Sequence, residues 1–255
     1  RYTAIAAVSF GTALVVIDGA IATVALPTIA RDLGVDNSAA VLVVTVYQLV
    51  LVMTLLPFSA LGDRIGLKRL YQYGQIVFAV ATILCFFARS LPFLLVIRAV
   101  QALGAAAALS VSSAMVRSIY PSTQLGRGLG VNSVVVSSAN ALAPTLGGLI
   151  LAVAPWPWVF AAAAPFAIMS LLLGRALPDP AKRGGSFDVL GAVLCASTFG
   201  LIISGLESAV HGDSPVVSGA IVAVGIAIAI YFVRRERGEE SPILPVDLLG
   251  KPVMA

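Results

Sequence analysis

Asp18 and Arg98 are the residues on which chemistry is most readily built. Each is an ionisable side chain inside an apolar run: Asp18 follows Ala13-Leu-Val-Val-Ile17, and Arg98 follows Leu94-Leu-Val-Ile97. An ionised group at the middle of a bilayer costs ~2.5–3.5 kcal/mol on insertion scales, so each must face a partner or an aqueous cavity. Both fall at similar depth and can pair. One reading is a structural ion pair that fixes helix packing. The other is a proton site: a carboxylate set between a desolvating surround and a cation can exchange protons with a cavity and attract a cationic solute. Tyr47, Gln48, Gln101, Asn132 and Ser133 are candidates for lining such a cavity, each equally compatible with packing. Glu207 reads as an interfacial charge.

The surrounding sequence explains why these charges stand out. Hydrophobic residues are 59% of the 255 and charged ones 11%, with mean hydropathy +1.01. A soluble domain carries about a quarter charged residues. The apolar residues arrive in blocks near the ~20 needed to cross a bilayer as a helix. Eight spans are expected, roughly 3–27, 39–61, 70–88, 92–119, 126–153, 158–177, 187–206 and 216–233. The blocks are too long, and too little alternating, for barrel strands. The first is too long for a signal peptide and reads as a retained helix. The fold class is therefore all-α integral membrane.

Cys85 and Cys195 fall inside apolar spans and read as packing residues, and the one histidine, His211, sits in a polar loop. No metal site is expected from this inventory. The net charge of +4 is scattered and forms no basic face, so nucleic acid is not an expected partner. Thirteen of the sixteen Lys and Arg residues fall on the side of the N-terminus, among them Arg64, Lys68, Arg69, Arg117, Arg127 and Arg175. Arg31 and Arg89 fall on the other. The positive-inside rule then puts the N-terminus and residue 255 in the cytoplasm of a multi-pass protein of the cell membrane. Trp156 and Trp158 are expected at the outer interface, Tyr71 and Tyr73 at the inner one. Residues 178–188 are the most linker-like stretch.

Between the second and third spans stands Gly62-Asp63-Arg64-Ile-Gly66-Leu-Lys68-Arg69. Gly62 and Gly66 suit a tight turn, and Asp63 can cap the third helix or pair with a base. This string resembles the signature loop of the major facilitator superfamily. Three further motifs stand in order: Ile17-Asp-Gly-Ala-Ile-Ala-Thr-Val-Ala-Leu-Pro27, Arg98-Ala-Val-Gln101-Ala-Leu-Gly104, and Ala143-Pro144-Thr-Leu-Gly147-Gly148. The first and third resemble those of the fourteen-helix drug:proton antiporter family, and the second resembles a motif of the superfamily. Ala143 and Ala102 replace family glycines, and Thr23 stands where an asparagine is common. Trp156-Pro-Trp158-Val-Phe160, Phe187-Asp-Val-Leu-Gly191, Arg234-Arg-Glu-Arg237 and Pro242-Ile-Leu-Pro245 extend the resemblance over the whole chain.

The resemblance implies an N-terminal six-helix transporter half over 1–177, a cytoplasmic linker at 178–186 and two extra helices over 187–233. A cytoplasmic segment, 234–255, would lead to a missing C-terminal half, so the chain is expected to be a piece of a longer protein. It implies that Asp18 and Arg98 serve proton coupling and substrate. Gly62, Asp63, Arg64, Gly66, Lys68 and Arg69 would form a gating loop, with Arg127 a partner for Asp63. Ala143, Pro144, Gly147 and Gly148 would form a moving cavity wall. The implied function is alternating-access efflux of small cationic or amphipathic compounds, with the proton as coupling ion and no other cofactor. The expected partners are a small-molecule substrate, the bilayer and the missing half. Alternatives are a same-fold exporter of anions, amino acids, peptides or lipids, and a non-transporting scaffold or receptor. No nucleophile–base set or phosphate loop suggests an enzyme.

Overall fold

The structure, a computed structural model, describes residues 2–177, 187–210 and 214–236. The linker expected at 178–186, His211, and the segment from Arg237 through Pro242 and Pro245 to residue 255 lie outside the described residues.

The described residues are helical throughout, with no strand. The helices are α1 (Tyr2–Leu33), α2 (Asn37–Ile65), α3 (Leu67–Phe86), α4 (Leu91–Ile119), α5 (Leu125–Val153), α6 (Pro157–Ala161), α7 (Ala164–Leu173), α8 (Val189–Val210) and α9 (Pro215–Glu236). Six of these are long and apolar enough to span a membrane: α1, α2, α4, α5, α8 and α9. Alone in lipid, backbone N–H and C=O groups need partners within their own segment, which the helix supplies. With α3 and the α6–α7 pair they form an all-α bundle of membrane-spanning type, to which α8 and α9 are added.

The expected sixth span, 158–177, is two helices and a closing 3₁₀ turn at Gly174–Ala176. The physical reason is Pro165. It has no N–H to return to the carbonyl of Ala161, so the ladder is interrupted there.

The expected loop between the second and third spans is also shorter than read. α2 continues to Ile65, and the chain reverses at Gly66 alone, whose φ of 106° suits glycine. Gly62 is no turn residue. It lies inside α2, and a Cβ there would meet Val111 of α4 at 2.6 Å. Asp63 does not cap α3, whose cap position is Gly66 with no side-chain bond. At the other end of α2, Gly34 turns the chain at φ 64°, with the Val35 N–H bonded to the Ala30 carbonyl.

α1 and α4 form the centre. Their apolar stretches are 67% and 61% buried, against 17% for α2 and α5. One core group joins Ile21 and Ile29 of α1, Leu94 and Ile97 of α4, Phe160 of α6 and Trp156 just before it. Another gathers Val8, Tyr71, Val111 and Met115 at the end bearing Lys68. Trp156 is buried within the bundle and donates its indole N–H to Asp32 at 2.6 Å. Trp158 is half exposed. Tyr71 is likewise buried, its hydroxyl bonded to the Ala7 carbonyl at 2.8 Å, while Tyr73 is exposed. Lys68 donates to the Arg175 carbonyl at 2.9 Å, tying the start of α3 to the end of the sixth span.

α8 and α9 pack on each other and lean on the bundle chiefly through α2. Asp188, just before α8, is gripped by both terminal nitrogens of Arg235 and accepts the Gly191 N–H at 3.0 Å. The Arg235 hydrogen bond holds this carboxyl below its ordinary range, against partial burial and with help from the Gly191 amide. An acid stronger in the folded state than in the unfolded one stabilises fully above the unfolded value, ~3.9. That contribution disappears as pH falls through the folded pKa. Thermal unfolding followed from about pH 7 to pH 3 is expected to show an acid loss of stability. Asp188→Asn should remove that part of the loss; an unchanged acid profile in the variant would refute the assignment.

Candidate functional site

Asp18 and Arg98 are both fully buried and in contact. Arg98 Nη1 donates to Asp18 Oδ2 at 2.6 Å. α1 carries the acid and α4 the base, and the apolar surface of these two helices carries both charges inward. Gln101, three residues after Arg98 and so on the same face of α4, sits inside the pair and not on a cavity wall. Its carbonyl accepts from Arg98 Nη1 at 2.6 Å. Its amide nitrogen donates to Asp18 Oδ1 at 3.0 Å and to Thr82 of α3 at 2.8 Å. Arg98 Nε reaches the Val43 carbonyl of α2 at 3.4 Å. Four helices are thus joined through one guanidinium and one amide.

Aromatic faces complete the cage. The Arg98 guanidinium carbon lies 4.0 Å from the Tyr47 ring centre and 5.1 Å from that of Phe160. Such stacking stabilises a cation that has left water. Among the described residues Arg98 Nη2 has no hydrogen-bond acceptor. A desolvated guanidinium with one donor idle is held by charge and ring faces more than by saturation of its fork.

Asp18 also borders a cavity of about 240 Å³. Its other walls are apolar: Phe10, Leu14 and Ile21 of α1, Leu146 and Ile150 of α5, and Phe166 of α7. The residues expected to line a cavity are dispersed. Tyr47 is buried against Arg98, and Gln101 is inside the pair. Gln48 is exposed on a separate groove between α2 and α8. Asn132 is half-buried and Ser133 exposed, both on α5 and neither on the wall at Asp18. Phe160 closes the Trp156-Pro-Trp158-Val-Phe160 stretch, which gave no hint of a role beside Arg98, and Thr82 had no motif to announce it; only the depth they share with Arg98 could have pointed to them.

The remaining motif residues fall into two places. α5 runs unbroken through Pro144, which is exposed. Ala143 and Gly147 face inward, and a Cβ on Gly147 would meet Ile21 at 2.8 Å. Gly148 faces open space. Asp63, Arg64, Lys68 and Arg69 cluster around the Gly66 reversal, and Arg127 borders a groove with Tyr120 and Gln124 at the start of α5.

The described residues thus form a helical bundle of membrane-spanning type with a charge pair locked between its two central helices. The family described as Major Facilitator Superfamily matches residues 8–191, and the chain belongs to it. It is 42% identical over its full length to the uncharacterized transporter YebQ of Escherichia coli, covering 56% of that protein. It is 35% identical over 77% of its length to the riboflavin transporter RibZ of Clostridioides difficile, covering 44% of it. It is 31% identical over 97% of its length to the multidrug efflux pump LfrA of Mycolicibacterium smegmatis, covering 50%. The chain therefore spans about half the length of the relatives it matches. The fold also matches a peptide transporter crystal structure with TM-score 0.68 at 16% identity, covering 92% of this chain and 52% of that one.

Proposed function

We propose that this chain supplies the first half of a proton-coupled exporter of small cationic or amphipathic compounds, working by alternating access. The observation that carries the reading is the Asp18–Arg98 pair, fully buried between the central helices and bordering an apolar cavity. Protonation of Asp18 would remove its charge from Arg98 Nη1. The guanidinium would keep Gln101 Oε1 and the Tyr47 face. The tie between α1 and α4 would weaken, and a cation held by the carboxylate would be released. Deprotonation on the other side would restore both. Linkage makes the effect reciprocal, so bound cation and bound proton oppose each other. The small and apolar inner face of α5 at Ala143 and Gly147 suits a wall that slides.

In this reading the N-terminus faces the cytoplasm, the Gly66 reversal and its basic residues gate the inner side, and a second helical half completes the substrate path. The similarity to LfrA, a multidrug efflux pump, supports export of drug-like compounds. The similarity to RibZ favours a second reading, transport of a planar, uncharged vitamin-like solute through the same apolar cavity. Proteoliposomes of the full-length protein separate the two. A proton gradient should drive movement of lipophilic cations, and Asp18→Asn should reduce that flux at least about tenfold per folded molecule. Riboflavin flux with no cation flux would favour the second reading. Unchanged proton-coupled cation flux in both Asp18→Asn and Arg98→Ala would sink the mechanism.

A further inference from the structure

α1 is continuous from Tyr2 to Leu33, yet its turn from Ala7 to Thr12 holds two carbonyls that each serve two donors. The Tyr71 hydroxyl of α3 donates to the Ala7 carbonyl at 2.8 Å, the carbonyl that the Gly11 N–H meets in a helical ladder. That leaves Ser170 Oγ of α7, 3.1 Å away, to donate to Tyr71. The Thr12 hydroxyl donates to the Val8 carbonyl at 2.8 Å, which the Thr12 N–H meets as well. Hydroxyls placed this way loosen a ladder and bend helices. Gly11 between them is, after proline, the residue least suited to a helix. The three atoms nearest to where its side chain would stand are all polar. An added Cβ would strike the Tyr71 hydroxyl and lie 2.6 Å from Ser170 Oγ and 2.8 Å from Gln75 Nε2.

Gln75 of α3 completes the arrangement. It is fully buried, and among the described residues neither its amide nitrogen nor its amide oxygen has a hydrogen-bond partner. An unpaired buried amide is a cost carried by the straight helix. Opening of α1 at Gly11 would redistribute the bonds. The Ala7 carbonyl would keep the Tyr71 hydroxyl, and the Val8 carbonyl would keep that of Thr12. The freed Gly11 N–H would have the Gln75 amide oxygen within reach. Each conformation then leaves few groups unpaired, so the two lie close in free energy. Asp18 stands two turns beyond Gly11 on the same face of α1. A bend at Gly11 therefore swings the acid relative to Arg98 on α4. We infer that Gly11 is a hinge of α1, and that Tyr71 and Gln75 are positioning residues that balance its straight and bent forms and so the alignment of Asp18 with Arg98. The inference rests on the alternating-access reading only for the use of this motion.

Hydrogen exchange of the full-length protein in proteoliposomes, followed by mass spectrometry over the turn from Ala7 to Thr12, tests the hinge without any solute. Exchange of the Gly11 and Thr12 amides reports how often the turn opens. Gln75→Leu removes the unpaired amide from the straight helix and the acceptor from the bent one. Exchange should slow at least about fivefold, and the unfolding temperature should rise. Tyr71→Phe leaves the Ala7 carbonyl bare on opening, so it too should slow exchange at Gly11. A purely structural role has the opposite sign, because a lost hydrogen bond loosens the turn. Exchange in α9 is the reference for general changes. If one variant fails to fold, the other decides. Unchanged or faster exchange at Gly11 in either folded variant overturns the hinge. Proton-driven flux of tetraphenylphosphonium in the same proteoliposomes should fall with Gln75→Leu, and slower exchange with unchanged flux overturns the role in aligning Asp18. Wild-type flux alongside unchanged exchange leaves cation export standing. Slower exchange in the variants with no flux by the wild type would overturn the export reading and keep the hinge.

Discussion

Arg98→Ala is expected to destabilise the protein by about 3–5 kcal/mol, the cost of leaving a buried charge without its partner. Asp18 would lose its ion pair, and Gln101 would lose the donor to its carbonyl. Asp18→Asn is expected to destabilise for the mirror reason, stranding a guanidinium that already has one idle donor. Removing both charges is a different case. Replacing a buried pair by neutral groups is often neutral or stabilising, so Asp18→Asn with Arg98→Gln should recover most of the lost stability. The cycle of single and double variants, read by thermal unfolding in detergent, gives the coupling energy directly. Transport measured on the same proteins adds the functional half: the double variant should be stable and inactive. A stable double variant that still transports would reduce the pair to a packing device. Additive single effects would show that the two side chains do not act as a unit.

Gly104→Val carries the second large effect. α3 and α4 approach closely where Gly74 faces Gly104. A Cβ on Gly104 would lie 2.6 Å from the Phe78 amide nitrogen and 2.7 Å from the Gly74 carbonyl. Both are backbone atoms and cannot rotate away, so the helices must separate. Overpacking of a core typically costs about 1–3 kcal/mol, and a clash with backbone belongs at the upper end. The shift would also disturb the site, because Gln101 of α4 bonds Thr82 of α3 less than two turns from the contact. The expected result is a lower unfolding temperature together with reduced transport per folded molecule. Gly219→Ala is the control, since nothing lies within 4 Å of a Cβ there. Equal stability of Gly104→Val and the wild type would mean that the close approach is not needed.

Much of this was legible before any fold was known. Apolar blocks of bilayer length declare helices, because lipid leaves the backbone no other partner. Asp18 and Arg98 announced themselves by the cost of their positions, and their similar depth made pairing the economical arrangement. The interruption at Pro165 was also open to inspection, since a missing N–H acts locally. Gly62 was misread because a glycine in a short polar string signals a turn equally whether it bends the chain or admits Val111. Sequence spacing cannot tell these apart; the neighbouring helix can.

What the sequence by itself determined is the helical class, most of the helices, the superfamily and the two charges that must find shelter, because hydropathy and desolvation act along the chain. The tertiary structure decided what surrounds them. It placed Gln101 between acid and base, set Tyr47 and Phe160 over the guanidinium, turned Gln48 away to another groove and laid α8 against α2 so that Glu207 faces a cavity. Those outcomes depend on which helix faces meet, and that is settled by the fit of small and large side chains on different helices, a property of pairs far apart in the chain.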